Sequence, residues 1–483
     1  MIYAVTWGNS LEEVREQLKD LPPYVEGIEF RLDQMPFLSK QSISVLSSLT
    51  SLPRMFTDHK GDHLSSLLTS DLPTATYVDL NWKESNKAEQ MRKSSLFLLL
   101  SYHNFDKPPS PSQLEEIVGQ MQQGGAACGK IACTVDSFEK LSTFSSLAHR
   151  SYPLALSWIP MGNRFSQLRA LFFFLIPRSI YYLSTRPCAP SFAPGLPTIK
   201  EQHSLFVQLH RLKKMRKAPS LYALIGNPID QSPGDRLYNR FFSLCGKQAL
   251  YLKIPLSSDE LPLFFQWIRS LPFRGLSITA PLKQSILPYL DEMSQEARAM
   301  GAVNLIGITA GKIRGENSDG QGALQMIREH YSSLRGKRIF LLGAGGSARA
   351  LAYSLLQEGA HLFLFNRTFH RARELVREIG GKAYPLCSLP SLASREGYDL
   401  FIQTTSAHTL SFSPSFLLPG RGFMDIRWGA EKSSLYREAV NKKCTIFPAK
   451  RLFFFQALEQ LRLWFPSLCA EEKRIWLSLY EIP

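Results

Sequence analysis

The residues able to carry chemistry fall into two groups along the chain. In the first half, Lys130 sits in "MQQGGAACGKIACTV" (121–135), a long cation between small residues and an apolar run. His103 closes the run "LFLLLSYH" (96–103), and Arg169 ends "MGNRFSQLR" (161–169). Glu29 and Arg31, in "GIEFRLD" (27–33), have the i,i+2 spacing that shares one strand face, as substrate ligands or only as an ion pair. A lysine kept neutral by apolar burial can attack a ketone, and the protonated imine then accepts electrons when the next carbon loses a proton. A histidine can move that proton near neutral pH, and guanidinium groups bind a carboxylate bidentately.

In the second half, Lys283 lies in "GLSITAPLKQS" (275–285) and Asp319 in "GENSDGQG" (315–322). Taken singly, each reads as a surface residue. As a pair, a lysine hydrogen-bonded to an aspartate can give a proton to the alkoxide left when hydride reduces a ketone, and take it back. "RIFLLGAGGSARALAYSLL" (338–356) reads as strand, glycine turn and helix, in which Gly343, Gly345 and Gly346 bring backbone N–H groups to a pyrophosphate. The pattern is GxGGxxR, with Arg349 at the usual third glycine. The next strand pattern, "HLFLFNRT" (361–368), ends about 20 residues on, where the ribose is expected, and offers Asn366, Arg367 and Thr368 but no acidic residue. An arginine there favours a 2′-phosphate, hence NADP over NAD.

These side chains need a frame. Up to residue 212 the sequence repeats a short apolar run followed by an amphipathic stretch. Strand candidates are 2–7, 27–32, 54–57, 76–80, 96–103, 130–135 and 154–159; helical patterns include 10–21, 110–125 and 137–150. Strands alternating with helices imply a parallel sheet, and seven or eight such units predict a (β/α)8 barrel. Lys130, Ala132 and Thr134 would share one strand face, leaving room for a ring-sized substrate. Lys130 reads as a strand start, whereas barrel active sites lie at strand C-terminal ends. Either the strand begins earlier, within "AACG", or the side chain reaches up through the barrel. "HRLKKMRKAPS" (210–220) closes a helix and runs into a linker at 213–220. An α/β substrate lobe is expected at 221–335, then a Rossmann domain at 336–483 whose C-terminal helices return to that lobe.

A chain of 483 residues exceeds one ordinary core. With 44% hydrophobic and 20% charged residues it is globular, and its net charge of +15 suits anionic substrates and phosphorylated cofactors. It carries no helix-turn-helix, zinc-finger or aromatic RNA-binding pattern, so nucleic acid is not expected as a partner. Seven scattered cysteines make neither a disulfide nor a metal-ligand pattern, which points to a reducing, cytoplasmic setting without a metal; Cys128 and Cys133 read as small buried residues. "MIYAVTWGNSLEEVREQL" reaches acidic helical sequence too soon for a signal peptide, and "ALFFFLI" (170–176) is far short of the ~20 residues of a membrane span. A soluble chain without a membrane partner is expected; oligomeric state is left open.

Residues 221–465, through Thr279, Lys283, "GAVN" (301–304) and "NSDG" (317–320), resemble shikimate dehydrogenase. The resemblance implies that Lys283 and Asp319 are the catalytic pair and that Ser232, Thr279, Asn304, Asp319 and Gln456 touch the substrate. It also implies that NADP is held by Gly343, Ala344, Gly345, Gly346, Ser347 and Arg349 with Asn366, Arg367 and Thr368. The family's "GNPIxHSxSPxxHN" reads here "GNPIDQSPGDRLYN" (226–239), with Gln231, Gly234 and Tyr238 at departing positions; Ala449 and Leu452 stand where glycine and methionine are usual.

Residues 1–212, through "GIEFRLD", "LSYHNF" (100–105), "MQQGGAACGKIA" and "MGNRFSQLR", resemble type I 3-dehydroquinate dehydratase, a (β/α)8 barrel. By that resemblance Lys130 forms the imine, His103 is the general acid/base, and Thr6, Glu29, Arg31 and Arg169 bind substrate. After "MFT" the family has an arginine and a glutamate that supports the histidine; here "DHKGDH" (58–63) puts His59 and Asp62 or His63 near those places. The final "SAPGQ" reads "FAPGL" (192–196), with Phe192 and Leu196. Together the resemblances imply a bifunctional shikimate-pathway enzyme that dehydrates 3-dehydroquinate and reduces 3-dehydroshikimate with NADPH. The alternatives are an active dehydrogenase with an impaired dehydratase domain and a non-catalytic quinate or shikimate sensor. A sensor would lose catalytic residues, yet Lys130, His103, Lys283 and Asp319 all remain.

Overall fold

The structure is a computed structural model that describes residues 1–74, 76–84, 91, 94–176, 179–187, 194–215, 218–405 and 413–479. Its backbone divides into two compact units. One comprises residues 1–219, 238–243 and 248–255; the other comprises 220–237, 244–247 and 256–483.

The first unit is built on eight strands: β1 (Ile2–Thr6), β2 (Gly27–Arg31), β3 (Arg54–Thr57), β4 (Thr76–Asn81), β5 (Phe97–Asn104), β6 (Cys128–Thr134), β7 (Leu156–Met161) and β8 (Tyr181–Ser184). Every ladder is parallel and the order is β7-β6-β5-β4-β3-β2-β1-β8, so sequence neighbours are spatial neighbours and β1 joins β2 to β8. The strands are apolar because both faces are covered: all of β1 and β3 is buried. Several of the helices between them start at hydroxyl caps. Ser10 accepts from Glu13 N, Ser137 from Lys140 N, and Ser110 forms a capping box with Gln113 ahead of Pro111. The strand β8 has no counterpart among the seven expected; "YYLS" is four residues long and gains its identity from pairing with β1.

The strand carrying Lys130 starts at Cys128, two residues before the expected start, so Lys130 is a mid-strand residue. It lies in register with Ser101 of β5 and Ser157 of β7, both small. Its neighbour Gly129 has no room for a side chain, because a Cβ there would lie 2.7 Å from Leu156 Cδ2 and 3.0 Å from Met121 Sδ. Strand alternation therefore sends Lys130 to the opposite face.

In the second unit, strands Ser220–Gly226, Phe273–Ile278, Leu305–Thr309, Lys312–Glu316 and Glu292–Met293 pair in that order in a mixed sheet. A six-stranded parallel sheet follows, ordered Lys382–Pro385, His361–Asn366, Arg338–Leu342, Leu400–Gln403, Gly422–Asp425, Thr445–Phe447. This is the doubly wound 3-2-1-4-5-6 order, whose switch point lies beside the first strand. Helix Ala449–Trp464 runs back onto the mixed sheet: Trp464 Nε1 donates to Ile306 O at 3.0 Å, and a Cβ at Gly275 would meet that indole at 2.1 Å. Among the described residues no helix is long and apolar enough to cross a membrane, and no His/Cys/Asp/Glu group could hold a metal.

Candidate active sites

At the C-terminal ends of β1 to β8 lies a cavity of about 180 Å³ whose lining includes Glu29, Arg31, His59, His103, Lys130 and Arg169. That volume suits one small ring. Lys130 is 4% exposed, and its ammonium donates a hydrogen bond to Asp79, which is fully buried and also accepts from Ser101. Burial alone would raise the Asp79 carboxyl, but the Lys130 cation and His59 outweigh it and hold it well below the usual carboxylate range. The Tyr182 ring lies 5.1 Å from Lys130 Nζ. His103 is pushed well below the usual histidine value, first by burial and then by the Lys130 cation, with the neighbouring His59 adding to it. It is a neutral imidazole at pH 7, able to accept a proton.

Glu29 accepts from Thr57 Oγ1 at 2.5 Å. Arg31 forms a fork onto Asp33 at 2.9 and 2.7 Å. Burial opposes both charges of that pair, and their attraction wins, holding Asp33 low and Arg31 high. Arg169 donates to the carbonyls of Pro160 (2.9 Å) and Pro194 (2.6 Å), which fixes its guanidinium at the rim. Thr6 corrects the expectation: its hydroxyl donates to Gln17 Oε1 at 2.8 Å, and Val5 lines the cavity instead, because adjacent strand residues face opposite ways. Leu196 lines the cavity, whereas Phe192 lies outside the described residues. Asp79 and Ser101 belong to none of the chemistry-bearing residues that the sequence patterns mark. The available signal was a carboxylate inside the apolar run "TYVDL" (76–80), since a charge there needs a buried partner.

In the second unit, Lys283 follows strand Phe273–Ile278 on the short helix Leu282–Ser285. Its ammonium donates to Asp319 Oδ2 and to Ser347 Oγ, the latter at 2.7 Å. Asn304 donates to the other Asp319 oxygen and to Ser318 Oγ at 3.1 Å, so both carboxylate oxygens are held. Gln456 joins through the helix Asp319–Ile327, where a Cβ at Gly322 would lie 2.9 Å from Gln456 N. Thr279 packs on Gly226 at the head of the segment bearing Ser232, whose hydroxyl accepts from Gly234 N at 3.3 Å.

At the glycine turn, Gly343 has φ +120°, and a Cβ would lie 2.2 Å from Thr404 Oγ1, so only glycine fits. Gly345 caps helix Gly346–Gln357 and has open space where a Cβ would stand; Ala344 packs on the core. Asn366 Nδ2 donates to Thr368 O at 2.9 Å, bracing the turn that presents the exposed Arg367. The Arg349 side chain is directed elsewhere, donating to Glu378 and, at 3.4 Å, to Met300 O. Ser347, expected at the cofactor, is also hydrogen-bonded to Lys283. A larger cavity of about 310 Å³, lined by Arg427, Trp428, Lys432, Ser433 and Arg437 among others, contains neither lysine–aspartate pair.

Three family models match the chain. Type I 3-dehydroquinase covers residues 2–213, shikimate dehydrogenase substrate binding domain 224–306, and shikimate / quinate 5-dehydrogenase 325–416. The "Shikimate biosynthesis protein AroDE" of Chlamydia pneumoniae is 30% identical over 98% of this chain and 97% of its own length. The "Bifunctional 3-dehydroquinate dehydratase/shikimate dehydrogenase, chloroplastic" of Arabidopsis thaliana is 27% identical over 93% of this chain and 79% of its own. The "Shikimate dehydrogenase (NADP(+))" of Moorella thermoacetica is 30% identical over 52% of this chain and 90% of its own. With both halves matched in one order and nearly the whole chain aligned, the chain belongs to the family of bifunctional shikimate biosynthesis proteins that join a type I 3-dehydroquinase to a shikimate dehydrogenase.

Proposed function

We propose that the first unit dehydrates 3-dehydroquinate through an imine on Lys130 and that the second reduces 3-dehydroshikimate to shikimate with NADPH. The observation that carries the first assignment is a buried lysine in a ring-sized cavity beside a neutral histidine and two arginines. The Lys130 amine adds to the ketone and water leaves, giving a protonated imine. His103 takes a proton from the adjacent carbon and the electron pair moves to the imine nitrogen. As the pair returns, the hydroxyl departs with the proton from His103, and hydrolysis frees Lys130. Arg31 and Arg169 suit the substrate carboxylate.

In the second unit, Lys283 gives the proton that turns the developing alkoxide into shikimate's hydroxyl, and Asp319 holds that ammonium in place with Asn304 behind it. The side-chain-free turn at Gly343 and Gly345 and the exposed Arg367 fit a dinucleotide with a 2′-phosphate. NADPH supplies the hydride when bound.

Borohydride with 3-dehydroquinate should fix a substrate-derived mass on Lys130, and Lys130→Ala should lose both adduct and dehydration. Normal dehydration by Lys130→Ala would refute the first assignment. NADP-dependent shikimate oxidation should collapse in Lys283→Ala, and unchanged turnover would refute the second.

A further inference from the structure

We propose that His59 is the positioning residue for His103: it orients that ring and shares its proton during dehydration. The inference rests on the dehydratase reading of the first site. Among the described residues none hydrogen-bonds the His103 ring. Its ring neighbours are His59, with centroids 4.7 Å apart and planes at 54°, and Phe105, at 6.4 Å and 17°. A general base that must aim at one carbon needs a partner to fix its orientation. The positions near which a supporting carboxylate was expected do not supply one. Asp62 is exposed, and neither Asp62 nor His63 lines the cavity.

His59 does line it, from the turn just after β3. Its Nε2 is buried with no hydrogen-bond partner. Nδ1 is 3.9 Å from Asp33 Oδ2 and Nε2 is 3.8 Å from Asp79 Oδ2, too far for hydrogen bonds. Both carboxylates are already engaged, Asp33 by Arg31 and Asp79 by Lys130. The ring against which His59 lies is the His103 imidazole.

The proton balance closes within the pair. When His103 takes the substrate proton, the imidazolium N–H can be accepted by the His59 imidazole, and a proton returns through His103 to the departing hydroxyl. The charges facing the pair are Glu29 and Arg31 from β2, Asp33 after it, Asp79 from β4 and Lys130 from β6. The two aspartates next to His59 favour a shared positive charge there, whereas Arg31 and Lys130 oppose it on His103.

The test uses the full chain and compares native protein with His59→Phe, which keeps a ring but no nitrogen, and His59→Glu, which restores a carboxylate. In both variants borohydride should still trap 3-dehydroquinate on Lys130. In His59→Phe, kcat for dehydration should fall roughly 10- to 100-fold with little change in KM, and the acid limb of its pH profile should move. His59→Glu should recover more than about threefold of that loss. The proposal is overturned if His59→Phe raises KM and leaves kcat alone, which would make His59 a substrate ligand. It is also overturned if kcat falls with an unchanged profile and no recovery in His59→Glu. Failure of native protein to trap substrate would instead overturn the imine reading.

Discussion

Replacing Asp79 by asparagine isolates the charge beneath Lys130, since the amide keeps the shape of the side chain and can still accept from Ser101. The side chains of Asp79 and Lys130 are 0% and 5% exposed, so the substitution leaves a cation in the interior without its counter-charge. Breaking such a pair costs about 3–5 kcal/mol. The folded Asp79 carboxyl is depressed, so its contribution is fully present above the unfolded value of about 3.9 and is lost as pH falls. At pH 3 the unfolded carboxyl is mostly protonated while the folded one stays charged. The native advantage should therefore shrink by about 1.3 kcal/mol between pH 7 and pH 3. His103, which is depressed in native protein, also destabilises the fold at acid pH, but it is common to both chains and largely cancels in the difference. Urea unfolding read by pulsed hydrogen exchange on peptides of β3 to β6 measures that difference within the full chain. A penalty below about 1 kcal/mol at pH 7, or one that does not vary with pH, would refute the ion pair as its source.

Two further outcomes are expected. In Gly346→Ala the new Cβ would stand 2.8 Å from Lys283 Cβ and 3.1 Å from Cδ, so NADP-dependent shikimate oxidation should fall at least about 10-fold while dehydration by the same chain is unchanged; equal loss of both activities would refute local displacement of Lys283. Iodoacetamide at pH 8 should label the exposed Cys387 and Cys469 and spare Cys128 and Cys133, whose thiols burial pushes up to about 12; mass spectrometry showing early labelling of Cys133 would contradict its burial.

Where apolar period and turn chemistry agree, the sequence is readable to within a residue or two. The helix expected at 110–125 spans Pro111–Gln123 because Ser110 and Gln113 cap it, and the glycine turn at 343–346 falls between a strand and a helix as its motif requires. The strand β8 escaped because four residues hold too few repeats to show a period; its partner β1 defines it. The strand bearing Lys130 begins two residues ahead of its apolar pattern, with Cys128 and Gly129, which look like turn residues. What admits them is the packing of Gly129 under Leu156 and Met121, which no local pattern encodes. Thr6 and Arg349 show the converse. Arg349 fits a motif and Thr6 is implied by the resemblance, yet their side chains are claimed by Glu378 and Gln17, partners that only the folded chain brings near.

The partner that completes the first site, Asp79, was the least legible part, whereas Asp319 is readable beside Lys283, and the two pairs share one form. Lys130 meets Asp79 and Lys283 meets Asp319, each pair largely buried and each aspartate held by a second donor, Ser101 in one case and Asn304 in the other. The proposed roles ask opposite things of the two lysines. Lys130 must shed a proton before it can attack, so its aspartate works against the nucleophile at rest, and the adjacent imidazoles of His59 and His103 offer somewhere for a proton to go. Lys283 must carry a proton until the alkoxide forms, so its aspartate supports the working state, and Ser347 adds a second acceptor to keep the ammonium aimed. A lysine–aspartate pair therefore does not specify a reaction. The groups beside it do, histidines and a ring-sized cavity in one unit, a glycine turn and a helix N-terminus in the other.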